Sequence, residues 1–432
     1  MAVGTGRMLY IATANGVSRA REKGNGSFDL EALGPHGKGV TAVVVDQANP
    51  DHIYVGTRKD GVLRSDDDGQ TWQEKSQGIL YREIWSMAQH PLTGDLWAGT
   101  QPASIFRSTD GGETWTDCEE LRKLEDTVHW TFPRAPHFAH VKNFAFSADN
   151  PEWVCCAIEE GWLVRTTNGG QTWKTLKQGV AFDAHAVTVM PDNPRVVFAA
   201  TGMGLFRSDD GGDEFVPSDT GIRRGSRAPY MASVSVHPER PSVLFTAAAD
   251  APPPLWFTRS EGANAAVYRS DDQGYSWRKL GGGLPDSLRA APRSCVIDPA
   301  DPDTVFFGMS DGSIWMSEDS GETFRHAIEG LAGWIGSISL VRTGAVASRQ
   351  RSSLSTAAPG GQPEDAQIGE TYEITIVEEI DNPFIGPNGV VRIGNVGVRI
   401  PNAKKGETYR VKILSIAMNN FTGRPEATIQ KL

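Results

Sequence analysis

Six short strings in this chain repeat one pattern, and an internal repeat limits the possible folds more tightly than composition does. RSDDDGQTW, RSTDGGETW, RTTNGGQTW, RSDDGGDEF, RSDDQGYSW and MSEDSGETF all fit the order Ser-x-Asp-x-Gly-x-Thr-aromatic, with Thr, Asn and acidic replacements at single positions. The first position of the pattern falls at Ser65, Ser108, Thr166, Ser208, Ser270 and Ser317, so successive copies lie 43, 58, 42, 62 and 47 residues apart. That is the length of one four-stranded unit with its loops. Upstream of the motifs runs a second shared pattern: an alternating strand, a turn at Asn49-Pro50, Asn150-Pro151, Asn193-Pro194 or Asp301-Pro302, and a further strand such as HIYVGT or VVFAAT. A seventh unit is split. GWIGSISLVR resembles only a first strand, while MLYIATANGVSRARE at the other end resembles the second and third. The chain is therefore expected to be all-β, with residues 1–344 forming a seven-bladed β-propeller closed by its N- and C-terminal strands. Pairing the two ends in one blade removes the open edges that a linear array would leave.

Length alone would suggest about three domains, but the repeats reduce the first 344 residues to one. With 39% hydrophobic and 22% charged residues the composition is that of a globular chain, not a disordered one. No run of eighteen apolar residues occurs and the first apolar stretch is too short for a signal peptide, so no membrane partner and a cytoplasmic location are expected. Cys118, Cys155, Cys156 and Cys295 have no metal-ligand spacing and read as reduced packing residues. Residues 1–344 hold 32 Lys+Arg against 44 Asp+Glu, and residues 368–432 hold eight against seven. An acidic body argues against general affinity of that part for nucleic acid or anionic membrane.

At the six motifs the sequence resembles the Asp-box, or BNR-repeat, family found in sialidases, some xyloglucanases, sortilin-like receptors and a photosystem assembly factor. The resemblance covers about residues 1–344 and implies a fold, not an activity. A short polar side chain and a Gly suit a tight hairpin between third and fourth strands. Trp72, Trp115, Trp173, Phe215, Trp277 and Phe324 are expected to plug between blades. The motif Asp residues are read as structural.

A functional site belongs at the opposite end, where the long loops 121–140 and 250–266 cluster. Aligning the units puts Glu83, His140, Asp183 and Tyr230 at one position, and Trp85, Lys142, His185 and Arg293 two residues later. Period two places both sets on one strand face around the channel mouth, a candidate site for a polar small molecule, glycan or protein. His140, Asp183 and His185 have the donor types of a divalent-metal site, but that set on separate strands does not suffice, and no metal or other cofactor is assigned. A sialidase would need an arginine cluster, a tyrosine nucleophile with a glutamate, and an acid. Arg82, Arg227, Arg293, Tyr230 and Glu83 supply the types, while the Arg-Ile-Pro signature is missing and seven blades exceed the sialidase six. A xyloglucanase-like carboxylate pair could draw on Glu159, Glu160 or Asp183, although that family uses two propellers.

Residues 345–367 are rich in Ala, Ser, Gly and Pro and read as a flexible linker spanning about 25 Å. Beyond them, YEITIVEEI, GVVRIG, VGVRIP, TYRVKILSIAM and PEATIQKL suggest a small five-stranded β-barrel over 368–432. Through GETYEITIVEEI, GVVRIGNVGVRIPNAKKGE and YRVKILSI this segment resembles the TRAM domain, an oligonucleotide-barrel-like module, which implies RNA as a partner. Arg392, Arg399, Lys404, Lys405, Arg410 and Lys412 would meet phosphates, and Phe421 would stack on a base. The sequence taken alone thus favours a non-enzymatic ligand- or protein-binding propeller joined to an RNA-binding module. Its alternative is a glycoside hydrolase, exo-sialidase-like or xyloglucanase-like, with its site on the loop-rich face.

Overall fold

A computed structural model describes residues 6–23, 26–222, 228–331 and 336–342 of a first compact unit, Met1–Gly344, and the strands of a second, Ala345–Leu432. In the second unit the described residues are 371–375, 378–382, 386–393, 396–401, 404, 407–418 and 425–431. The expected linker, 345–367, lies outside the described residues.

The first unit consists of seven four-stranded antiparallel sheets, the blades of a β-propeller. The innermost strands, in chain order, are Val40–Val45, Glu83–Gln89, His140–Phe146, Ala184–Met190, Tyr230–Val236, Pro292–Ile297 and Ile338–Arg342. They define blades one to seven. Blade seven joins the two ends of the unit: Arg7–Thr13 pairs antiparallel with Ile338–Arg342, from Arg7 opposite Arg342 to Ile11 opposite Ile338, and on its other side with Gly16–Glu22. Apolar cores lie between adjacent blades. Tyr10, Val17 and Leu33 of blade seven, for example, pack with Val43, Val45, Ile53 and Val55 of blade one.

The repeated motif forms the hairpin between third and fourth strands. In blade one the Ser65 hydroxyl accepts from the Gly69 amide at 2.8 Å and donates to Asp67 Oδ1 at 2.8 Å, while the Thr71 amide and hydroxyl donate to the same carboxylate at 2.8 and 2.7 Å. Asp110, Asp272 and Asp319 are bonded the same way. These carboxylates satisfy backbone donors inside a turn, which is a structural task. The motif aromatics are buried at blade interfaces, Trp72 less completely than the others. Trp115 donates from its indole to the Lys75 carbonyl of the preceding blade at 2.8 Å, and Trp277 donates to that of Ser218 at 2.7 Å. The facing chain must come very close. Gly179, at φ +76°, lies so near Phe215 that an added Cβ would overlap its carbonyl oxygen.

The second unit forms one six-stranded sheet among its described residues, where five strands were expected. The additional strand arises because YEITIVEEI is divided into Thr371–Thr375 and Glu378–Asn382, which pair with different partners, Thr408–Met418 and Gly386–Ile393.

Candidate functional site

Six of the seven innermost strands carry a β-bulge at the same place. Pairing with the second strand skips Thr41, Trp85, Lys142, His185, Ala232 and Arg293 in blades one to six. A bulge leaves one residue outside the ladder and re-aims its side chain. All six line a central cavity of about 190 Å³, together with Tyr230 and, from the entry to blade seven, Gly336 and Ser337. The channel wall is therefore built from equivalent positions around the ring.

Alignment of the repeats found four of these six residues. The period-two expectation fails for the first set, because the bulge interrupts the alternation between the two positions. Of Glu83, His140, Asp183 and Tyr230, only Tyr230 lines the cavity. Glu83 instead accepts from the Trp85 indole at 3.1 Å. His140 is fully buried and stacks on Trp85, with ring centroids 3.6 Å apart. Asp183 lies just before the blade-four strand, its Oδ1 3.0 Å from His185 Nε2. Of the other sialidase-type arginines, Arg82 pairs with Glu74 away from the cavity and Arg227 lies outside the described residues.

Glu159, at the end of strand Val154–Glu159, is the centre of the charge arrangement. Its Oε2 lies 3.0 Å from His140 Nε2 and 2.6 Å from Lys142 Nζ. Burial works to raise the Glu159 carboxyl, but Lys142 and His140 outweigh it and hold the group well below the usual carboxylate range. Burial pushes His140 down to about 4 against the pull of Glu159, so its imidazole is neutral at pH 7. Lys142 is lowered by burial, and Tyr230 is raised by burial and then by the charge of Glu159. Glu160, next in the chain, adopts the left-handed backbone region at φ +57°, followed by Trp162 at φ +64°. Non-glycine residues hold such angles at an energetic cost and concentrate at functional sites. Burial, then the charges of Asp183 and Glu159, raise the Glu160 carboxyl.

The two long insertions supply aromatic walls. Phe132, from the first, meets His140 edge-on at 5.0 Å, and Trp256, from the second, meets Tyr230 at 5.8 Å with Arg293 5.9 Å above its ring. Arg58 and Lys142 lie 4.9 and 5.3 Å from the Trp85 ring centre. Sequence reasoning missed Arg58 and Phe132, which occupy loops, and Trp256, which ends the short helix Pro253–Trp256, all outside the aligned strand positions.

In the second unit Lys404, Arg410 and Lys412 are exposed, and Val411 and Ile413 between and beyond them are buried. Arg392 and Arg399 occupy strands Gly386–Ile393 and Val396–Pro401. Lys405 and Phe421 lie outside the described residues.

No protein-family profile matches the chain, so the Asp-box and TRAM resemblances rest on their motifs alone. A xyloglucanase of Hypocrea jecorina (strain QM6a) is 26% identical over 163 residues, which are 35% of this chain and 19% of that protein. Among solved structures, a GH74 xyloglucanase from Xanthomonas campestris aligns with TM-score 0.57 and 15% identity over 98% of this chain and 64% of its own. An ancestral GH74 enzyme aligns with TM-score 0.53 and 15% identity over 91% and 46%, and the GH74 enzyme of Niastella koreensis with 0.52 and 14% over 98% and 67%. This chain thus spans about a fifth of the xyloglucanase it matches and half to two thirds of these structures. The expectation of a non-enzymatic propeller with an RNA-binding module is overturned here, because the similar proteins are glycoside hydrolases. The physical reason for the error is simple. Basic residues alternating with Val411 and Ile413 are what any sheet with one solvated face shows. At these identities the structural likeness shows the fold, and the fold it shows is the β-propeller.

Proposed function

We propose that the propeller is a glycoside hydrolase whose site is the mouth of the central channel and whose substrate is a β-glucan of the xyloglucan kind. The observation that carries this reading is the gathering of Glu159, Glu160 and Asp183 directly behind Lys142 and His185, which line the channel together with the rings of Trp85 and Tyr230. Cleaving a glycosidic bond takes a proton donor on one side and a second carboxyl group, or the water it holds, on the other. Aromatic rings offer the apolar face of a sugar a surface to lie on, while a few polar groups fix its orientation. Glu159 is tied to Lys142 and His140, and Asp183 faces His185. Among the described residues Glu160 makes no ion pair, so it is assigned the proton transfer to the leaving oxygen, with the Glu159–Asp183 side holding the attacking water. The xyloglucanase and GH74 names of the similar proteins support the substrate class.

The test is release of reducing ends from xyloglucan and, in parallel, from an unbranched β-glucan by the full chain. Turnover of xyloglucan is expected, with Glu160→Gln slower by roughly 10²–10⁴ and its unfolding midpoint unchanged. Equal rates for the two proteins, or no release from either glucan, would refute the proposal.

A further inference from the structure

We infer that Glu159, Asp183 and His185 form a binding site for one divalent first-row metal ion, of the Zn²⁺ or Mn²⁺ class, at the channel mouth. One donor atom from each residue lies within 4.8 Å of the other two, near enough for small side-chain rotations to bring all three onto one ion. The three come from separate elements: the end of strand Val154–Glu159, the residue before strand Ala184–Met190, and the bulge within that strand.

His185 supplies the independent observation. It is 3% exposed, and its Nδ1 lies 2.6 Å from the Met231 carbonyl oxygen. A ring nitrogen facing a carbonyl must carry the proton, so in the neutral imidazole Nε2 presents a lone pair. That Nε2 is buried and has no hydrogen-bond partner, although it lies 3.0 Å from Asp183 Oδ1. An unpaired buried nitrogen is unfavourable, and a lone pair turned toward a carboxylate is repulsive. A cation between them removes both penalties. Two atoms each about 2.1 Å from a common ion stand about 3.0 Å apart in octahedral and about 3.4 Å in tetrahedral geometry. A backbone carbonyl holding the far nitrogen is also the usual way a metal-ligating imidazole is oriented.

The remaining ligand is prepared in the same manner. His140 and Lys142 both engage Glu159 Oε2, which leaves Oε1 to turn to the ion. One imidazole with two carboxylates suits Zn²⁺ or Mn²⁺ better than the all-oxygen sites that Ca²⁺ and Mg²⁺ prefer. In the hydrolase such an ion would lie on the side assigned to the attacking water, yet the site stands on its own geometry.

The experiment uses the full chain, stripped with EDTA and titrated calorimetrically with Zn²⁺ and separately with Mn²⁺, with no glycan present. One ion per chain is expected, together with a raised unfolding midpoint and an affinity lower by roughly 100-fold or more in His185→Ala. Because His185→Ala also removes an inter-blade hydrogen bond, Asp183→Asn is the second variant, and unfolding of both in EDTA confirms that they fold. Uptake unchanged in both folded variants would overturn the site. So would a native chain that takes up neither ion and whose midpoint neither ion raises. Failure of this titration leaves the hydrolase proposal untouched, and failure of the glucan assay leaves this one.

Discussion

At the scale of single residues, the propeller depends on glycines that its repeat motif does not contain. Gly78, Gly179, Gly221 and Gly283 all have positive φ, and each lies under the carbonyl oxygen of the next blade's motif aromatic: Trp115, Phe215, Trp277 and Phe324 respectively. Gly179→Ala would force a strained backbone angle and a backbone overlap at once. It should lower stability by about 2–3 kcal/mol, read from urea unfolding, while Gly37→Ala, with open space around its Cβ position, should cost less. The aromatic side of this contact was legible in the repeat. The glycine side was not, because it belongs to the preceding unit and has meaning only once neighbouring blades are packed.

Elements explain both what alignment found at the candidate site and what it missed. Spacing from the turn located Trp85, Lys142, His185 and Arg293, since equivalent positions in equivalent strands meet at the axis. The bulges were hidden, because a one-residue slip leaves no mark in a short alternating strand. That slip sends His140 and Glu83 behind Trp85 instead of beside it. Glu159 was named among the candidate carboxylates, but its pairing across blade three with His140 and Lys142 needs the register of two strands. Ring closure gives the prediction at this scale. Strand Arg7–Thr13 is bonded on both sides, to Ile338–Arg342 and to Gly16–Glu22. Removing residues 1–13 should bare two edges inside blade seven, lower the unfolding midpoint by roughly 10 °C or more, and promote association visible by size exclusion. A truncated chain that melts like the intact one would mean that the seam contributes little.

For the whole molecule, the five acidic turns act together. Hydrogen bonds from within the motif hold Asp67, Asp110, Asp210, Asp272 and Asp319 below the ordinary carboxylate range. At Asp272 and Asp319 they do so against burial, the largest single influence there. Asp110 is lowered to about 2, chiefly by the hydroxyl and amide of Thr114. A carboxyl lowered on folding adds stability above its unfolded value, near 4, and loses it as pH falls toward the folded value. The midpoint should therefore drop between about pH 4 and pH 2, and Asp110→Asn should flatten that drop. Blade three, with Asn168 in the same turn, already lacks the titrating group. The seam has a further consequence, for mechanical load. The described part of the innermost closing strand ends at Arg342 and is held to Arg7–Thr13 by five residue pairs. Tension transmitted through the following segment would act on that seam before reaching any other blade, so force should open the ring at the place where its ends were joined.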